Sequence, residues 1–341
     1  MGSLFRKYWI LPAVLLFIFI AYFSPINPNS FETKLDSIVP ENKNNFDFTK
    51  TVLSLSALVD PGMDIAWTEN ELNTMAAALK GEIGEEGNAE KIIKSFNRYF
   101  FEQEHFSFDN TFNLAGGQDK KLSFQDLVNF NSIEQTLRRK QGICMTMTLV
   151  YLMLGEKLRL PMYGVMIPGH IYVRYREPGR SGINIETTYS GAEYYGYKSL
   201  SGIEFLDEKK MGYGKELDKY SIVGMYLNNL GNFYITTGRR SRAEIILKRS
   251  IEMVPDIAEA YINLGLLYEG EHRQEKALDC YSRSLEIYPK NTYVMTRIGK
   301  VYLDAKRFIK AQEILEDVLK SDTSNAEAKQ ALEQAVSKGG S

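Results

Sequence analysis

A helix-rich α+β core with a small antiparallel sheet, followed by an all-α repeat solenoid, is the fold class this sequence predicts. Three observations predict it. Between Phe46 and Arg139 apolar residues recur at three and four, as on amphipathic helices. Between Met162 and Thr188 the pattern changes to alternation on either side of a turn, as in paired strands. Beyond residue 224 the chain resembles itself at a period of 34 residues. An apolar N-terminal stretch adds an expected transmembrane helix.

The bulk properties set limits. A chain of 341 residues suits two domains with extensions. Its 44% apolar and 25% charged residues are those of a globular protein. A net charge of -2 supplies no basic face, which argues against nucleic acid as the main partner. Cys144 and Cys280 cannot build a disulfide framework. His105, His170 and His272 show no metal-ligand spacing, so neither a metal nor a cofactor is expected.

Taken in order, residues 1–7 carry Arg6 and Lys7, and residues 8–23 carry no charge. The exit through Ala21, Ser24 and Pro25 lacks a small-x-small cleavage pattern, so an uncleaved signal anchor is expected over 8–23. The charge rule keeps residues 1–7 inside and puts the bulk of the chain outside. Residues 24–45, with Pro25, Pro28 and Pro40, read as a linker.

The core domain is expected over 46–215. Leu53, Leu55, Leu58 and Val59 make an apolar helix face. Thr68-Glu69-Asn70-Glu71 reads as a capping box opening a helix that stops at Gly81. His105 reads as a packing or surface residue. Ser123 to Asp126 and Asn131 to Glu134 open two short helices, the second ending at Arg138-Arg139-Lys140, read as a solvated helix end. Cys144 then opens a run, Met145 to Leu154, so apolar that it must be a central helix. Met162 to Ile167, Ile171 to Arg176 and Gly182 to Thr188 read as strands. If the last pairing centres on Gly179, opposite residue numbers sum to about 358. That register places His170 and Glu186 diagonally on one face.

The C-terminal part repeats over 224–257, 258–291 and 292–325, with a capping helix and tail over 326–341. Gly231, Gly265 and Gly299 are 34 apart, as are Tyr234, Tyr268 and Tyr302, and Ala243, Ala277 and Ala311. Small residues at that period, where helices cross, are the signature of tetratricopeptide repeats, each a helix pair that must stack to bury its faces. Cys280 reads as a buried small residue of this array.

Cys144, His170 and Glu186 carry the expected chemistry. A thiol attacks a carbonyl as thiolate, and both a helix N-terminus and an imidazolium favour that form. His170 would act as base and then as acid, and Glu186 would orient the imidazole. Asn184 shares the parity of Glu186 and is the alternative orienter. The Cys144 amide, with a side chain such as Gln141, would bind the oxyanion.

The stretch Arg138 to Thr146 with Leu149-Val150-Tyr151-Leu152, then Leu158 to Val165, then Pro168-Gly169-His170-Ile171-Tyr172-Val173-Arg174, resembles the transglutaminase-like superfamily. More narrowly it resembles a bacterial branch often fused to tetratricopeptide repeats. The resemblance implies a papain-like α+β core whose triad falls on Cys144, His170 and Glu186. The family's third residue is commonly Asp; here it is Glu, one methylene longer. In a bacterium the anchored reading becomes a single-pass inner-membrane protein. Two functions follow. One is a membrane-anchored, extracytoplasmic cysteine-dependent amide hydrolase or acyl transferase acting on a protein or peptide, with the repeats recruiting a protein. The other is a catalytically inactive scaffold for protein–protein interaction in an envelope complex.

Overall fold

The computed structural model describes residues 28–84, 88–111, 122–193 and 213–339. It is helix-rich with a small sheet and an all-helical C-terminal region. Among the described residues the strands form a four-stranded sheet, in the order Ile183–Ile185, His170–Tyr175, Met162–Ile167, Glu216–Leu217, and a two-stranded one of Ser107–Phe108 and Gln141–Gly142. The described chain divides into two compact units, residues 28–164 with 172–193, and residues 165–171 with 213–339.

In the first unit, α1 (Pro28–Ile38) lies within the stretch expected to be a linker. Phe31, Leu35 and Val39 are buried, and their spacing of four makes the apolar stripe that the Pro and Asn content masked. Next come α2 (Phe48–Val59) and α3 (Ile65–Ile83). Asp64, not Thr68, caps α3: its carboxylate accepts from the Trp67 amide at 2.9 Å. Thr68 is inside the helix, and its hydroxyl donates to the Asp64 carbonyl. The helix runs past Gly81 to Gly84, whose φ of 70° ends it. Then follow α4 (Ala89–Asn97), β1 (Ser107–Phe108), α5 (Phe124–Asn131) and α6 (Ile133–Arg139). Ser123 and Asp126 form the capping box that opens α5, and Ser132 caps α6.

β2 (Gln141–Gly142) leads into α7 (Cys144–Lys157), whose residues Met145 to Gly155 are all buried. The following strands are β3 (Met162–Ile167), β4 (His170–Tyr175) and β5 (Ile183–Ile185). β4 and β5 run antiparallel with Val173 opposite Ile185, Arg174 opposite Asn184 and Tyr175 opposite Ile183. Each pair sums to 358, the register expected from a turn at Gly179.

The second unit holds the tip of the β3–β4 hairpin, β6 (Glu216–Leu217) and seven helices among its described residues. They are α8 (Lys219–Thr236), α9 (Arg240–Met253), α10 (Ala258–Gly270), α11 (Gln274–Ile287), α12 (Thr292–Asp304), α13 (Phe308–Ser321) and α14 (Ala326–Gly339). The glycine column has a steric cause. A Cβ on Gly231 would lie 2.5 Å from Leu247, one on Gly265 2.5 Å from Tyr281, and one on Gly299 2.6 Å from Leu315. Gly238, His272 and Lys306, also 34 apart, all have positive φ (75°, 57° and 58°) and turn the chain between paired helices. Cys280 is half-buried rather than buried, and burial of the thiol still pushes it up to about 11.

The expected single-pass inner-membrane placement is corrected. No helix among the described residues is long and apolar enough to cross a membrane. The expected anchor itself, residues 8–23, lies outside the described residues.

Candidate active site

The loop that enters the Cys144 helix is tightly determined. Lys140 takes a left-handed turn at φ 51°, and β2 then pairs in parallel with β1. Gly142 lies against α6 and the first turn of α7. A Cβ there would come within 2.6 Å of the Thr146 hydroxyl and 2.9 Å of the Thr136 methyl. Only glycine allows the chain to pass so close.

The basic triplet expected to be a solvated end fastens this loop instead. Arg138 Nε is 2.6 Å from buried Glu134, and its guanidinium stacks over Trp67 at 3.7 Å. Arg139 is 2.8 Å from buried Asp109. Lys140 is 2.6 Å from Glu104. Burial alone would raise the Asp109 carboxyl, but hydrogen bonds from Arg139 and Thr111 hold it below the usual range. The Asp109 amide donates to the Gly142 carbonyl at 2.9 Å, so the ion pair and the strand pairing fix the same loop.

Cys144 is the first residue of α7 and half-buried. Ile143 is the N-cap, with φ -92° and ψ 173°, and supplies no side-chain acceptor. The first-turn amides, which lack intrahelical carbonyls, meet no cap side chain, and the positive end of the helix dipole lies at the thiol. Gln141, three residues upstream, accepts from Arg139 at 3.3 Å.

Glu186 follows β5 and is buried. Its Oε1 accepts from the Thr188 amide at 2.9 Å and the Thr188 hydroxyl at 2.6 Å. Its backbone amide donates to the Ala192 carbonyl, and the Gly191 amide donates to the Glu186 carbonyl. Asn184 is buried opposite Arg174 and accepts from Arg174 Nε at 2.7 Å. His170 is the first residue of β4, half-buried, after a turn in which Gly169 has φ 73°. Cys144 and Glu186 share the first unit, whereas His170 falls in the second.

Two hydroxyls on the Cys144 helix bind it to the Glu186 turn. Thr148, one turn on from Cys144, lies 3.3 Å from the Thr187 hydroxyl, both side chains buried. Tyr151 is fully buried and donates to Asn97 Oδ1 at 2.7 Å, and Asn97 Nδ2 donates to the Gly191 carbonyl at 2.8 Å. A Cβ on Gly191 (φ 73°) would overlap the Asn97 carboxamide. Sequence reasoning missed Asn97, Thr148, Tyr151 and Thr187. The signal was present: Cys144, Thr148 and Tyr151 are at i, i+4 and i+7, which puts the hydroxyls of an apolar helix on the cysteine's face. Among the described residues no group of three or more His, Cys, Asp or Glu could hold a metal ion.

Comparison with known proteins identifies two regions of the chain. Residues 66–197 match the transglutaminase-like superfamily. Residues 223–290 match the tetratricopeptide repeat. The chain therefore joins a transglutaminase-like domain to tetratricopeptide repeats, and the stretch Gly142–Cys144 lies inside that domain. A UPF0162 protein of Xylella fastidiosa is 23% identical over 253 residues, 70% of this chain and 81% of that protein. A UPF0162 protein of Vibrio cholerae is 20% identical over 264 residues, 75% of this chain and 91% of that protein. Among solved structures, the first tetratricopeptide domain of Spaghetti (RPAP3) bound to an HSP90 peptide is similar. It has a TM-score of 0.34 and 19% identity, covering 35% of this chain and 94% of that one. The crystal structure of MamA gives a TM-score of 0.33 and 23% identity, covering 36% of this chain and 70% of that one.

Proposed function

We propose that the transglutaminase-like domain is a thiol enzyme that hydrolyses an amide or transfers its acyl group, with a protein or peptide as substrate and a papain-like arrangement of Cys144, His170 and Glu186. The observation that carries this reading is the first turn of α7. Cys144 sits at an uncapped helix N-terminus, and the same helix face is bound through Thr148 to the residue next to Glu186.

In this reaction His170 takes the Cys144 proton and the thiolate sulfur attacks the amide carbon. The carbonyl π electrons move to oxygen, where the Cys144 amide stabilises the oxyanion. The C–N bond then breaks, the imidazolium returns its proton to the leaving amine, and an acyl thioester remains on Cys144. Water or a second amine attacks the thioester, giving an acid or a new amide and restoring the thiol. The repeats supply a helical surface that recruits a protein partner or the substrate itself.

The test is capture of the thioester. The full chain is incubated with a pool of peptides containing glutamine and backbone amides, quenched in acid and mapped by mass spectrometry. An acyl adduct on Cys144, absent from Cys280 and lost in His170→Ala, supports the proposal. No adduct on Cys144 counts against it.

A second reading is favoured by one observation. Glu186 Oε1 accepts two hydrogen bonds from Thr188 inside its own turn. In a catalytically inactive scaffold the residue would serve to close that turn.

A further inference from the structure

We infer that Glu259, on a repeat helix, is a positioning residue for His170: its carboxylate holds the turn that delivers the imidazole. The inference rests on the thiol-enzyme reading above, because it assigns Glu259 a part in that chemistry.

The groups involved all belong to the second unit. Pro168 and Gly169 make the tight turn between β3 and β4, and His170 is the next residue. Gly169 has φ 73°, and its amide donates to Glu259 Oε1 at 3.3 Å. The other oxygen, Oε2, accepts from the Tyr213 hydroxyl at 2.7 Å. Tyr213 is fully buried and meets Tyr288 edge-on, with ring centroids 6.3 Å apart. The Gly214 amide donates to the Met166 carbonyl at 2.8 Å, which ties the same segment to β3. One carboxylate thus bridges the hairpin turn and the segment that lies along β3.

Two observations set Glu259 apart from an ordinary helix-start acid. It is the second residue of α10, where a carboxylate favours the helix dipole, but the equivalent positions 34 residues away are Met225 and Tyr293. The repeat architecture does not ask for an acid there. Burial also raises the Glu259 carboxyl, outweighing the hydrogen bonds from Tyr213 and Gly169. Glu259 is half-buried, and both of its oxygens have donors.

The consequence concerns the array as well as the turn. A partner that shifts the start of α10 would move the acceptor of the Gly169 amide, and His170 is one residue further along the chain. Positioning of the histidine would then respond to occupancy of the repeats without any partner touching the thiol.

The experiment compares alkylation of Cys144 by iodoacetamide at about pH 6.5, roughly two units below a free thiol's pKa. The full chain, Glu259→Ala, Glu259→Gln and His170→Ala are used, with Cys280 as the internal control. Glu259→Ala is expected to slow Cys144 about tenfold, the effect of one lost hydrogen bond. Glu259→Gln keeps an acceptor oxygen for Gly169 and is expected to retain most of the rate. The imidazole NMR signals of His170 should shift in the alanine variant and return in the glutamine one. Slow labelling of Cys144 in the unaltered chain, no faster than Cys280, removes the enzyme reading and this inference with it. Fast labelling that His170→Ala abolishes but Glu259→Ala leaves unchanged, with unmoved His170 signals, overturns the inference alone. Should Glu259→Ala fail to fold, Tyr213→Phe removes one donor from the same carboxylate, and the same two outcomes apply.

Discussion

The hydroxyls of Thr148 and Thr187 lie 3.3 Å apart in the buried interior of the first unit. One belongs to the turn of helix above Cys144 and the other follows Glu186. Truncating either leaves its partner's hydroxyl buried without this contact, which costs about 1 to 3 kcal/mol. Thr148→Val and Thr187→Val should each lower the unfolding free energy from urea titration by that amount. The double variant should cost less than the sum, with a coupling of about 1 kcal/mol. Strict additivity would mean that the contact contributes nothing.

Tyr151, Asn97 and Gly191 form a second tie between the same helix and the same turn. Tyr151→Phe orphans the Asn97 oxygen and should destabilise by about 1 to 2 kcal/mol. Gly191→Ala should cost more, since φ is positive and the new methyl overlaps the Asn97 carboxamide. Asn97→Gly in the same chain should relieve the overlap but not the backbone strain. Thermal unfolding of the three variants checks the order; an alanine at 191 as stable as glycine would contradict it.

Gly142→Ala places a methyl 2.6 Å from the Thr146 hydroxyl and 2.9 Å from Thr136. It should both destabilise the fold and displace the start of the Cys144 helix. The check is the alkylation rate of Cys144 against that of Cys280, with a fall for the first alone. Adding Thr146→Ala should recover part of it.

In the repeats, Glu244 offers a pH test. Burial would raise its carboxyl, but hydrogen bonds from Arg273, Lys248 and Tyr268 bring it down to about 2. Arg273 is 2.8 Å away. A depressed carboxyl stabilises the fold above its unfolded pKa of about 4.5, and that contribution is lost as pH falls towards about 2. The pair is partly solvated, so Arg273→Ala should lower stability only slightly at pH 7. The gap from the unaltered chain should close in denaturant titrations carried out below about pH 2.5. An undiminished gap in acid would assign the effect of Arg273 to packing on Tyr268, 4.2 Å away, rather than to charge.

The repeats were legible because their period is written in side-chain size. Gly231, Gly265 and Gly299 mark helix crossings, where a Cβ would crowd a side chain of the paired helix. The β4–β5 register was legible because Gly179, at positive φ, marks the centre of the connection between the two strands. The helix cap at Asp64 was not, since Thr68 offers the same local pattern and the preference comes from distant Glu134, which accepts from the Asp64 amide at 2.6 Å. The role of Arg138, Arg139 and Lys140 was hidden for the same reason: Asp109 and Glu104 are remote in sequence. The hydroxyl face at Thr148 and Tyr151 was visible but disguised by the apolar run around it. In the candidate site, residue types were readable and their supports were not, because supports are long-range hydrogen bonds.

On the proposed function Cys144 is a nucleophile favoured by its helix start and dependent on His170. The most direct measurement is the ratio of Cys144 to Cys280 alkylation by iodoacetamide at about pH 6.5, in the unaltered chain and in His170→Ala. In the unaltered chain Cys144 is expected to react well ahead of Cys280, and His170→Ala is expected to lower the Cys144 rate about tenfold or more with the Cys280 rate unchanged. Equal labelling of the two cysteines, or a high ratio indifferent to His170→Ala, would contradict it.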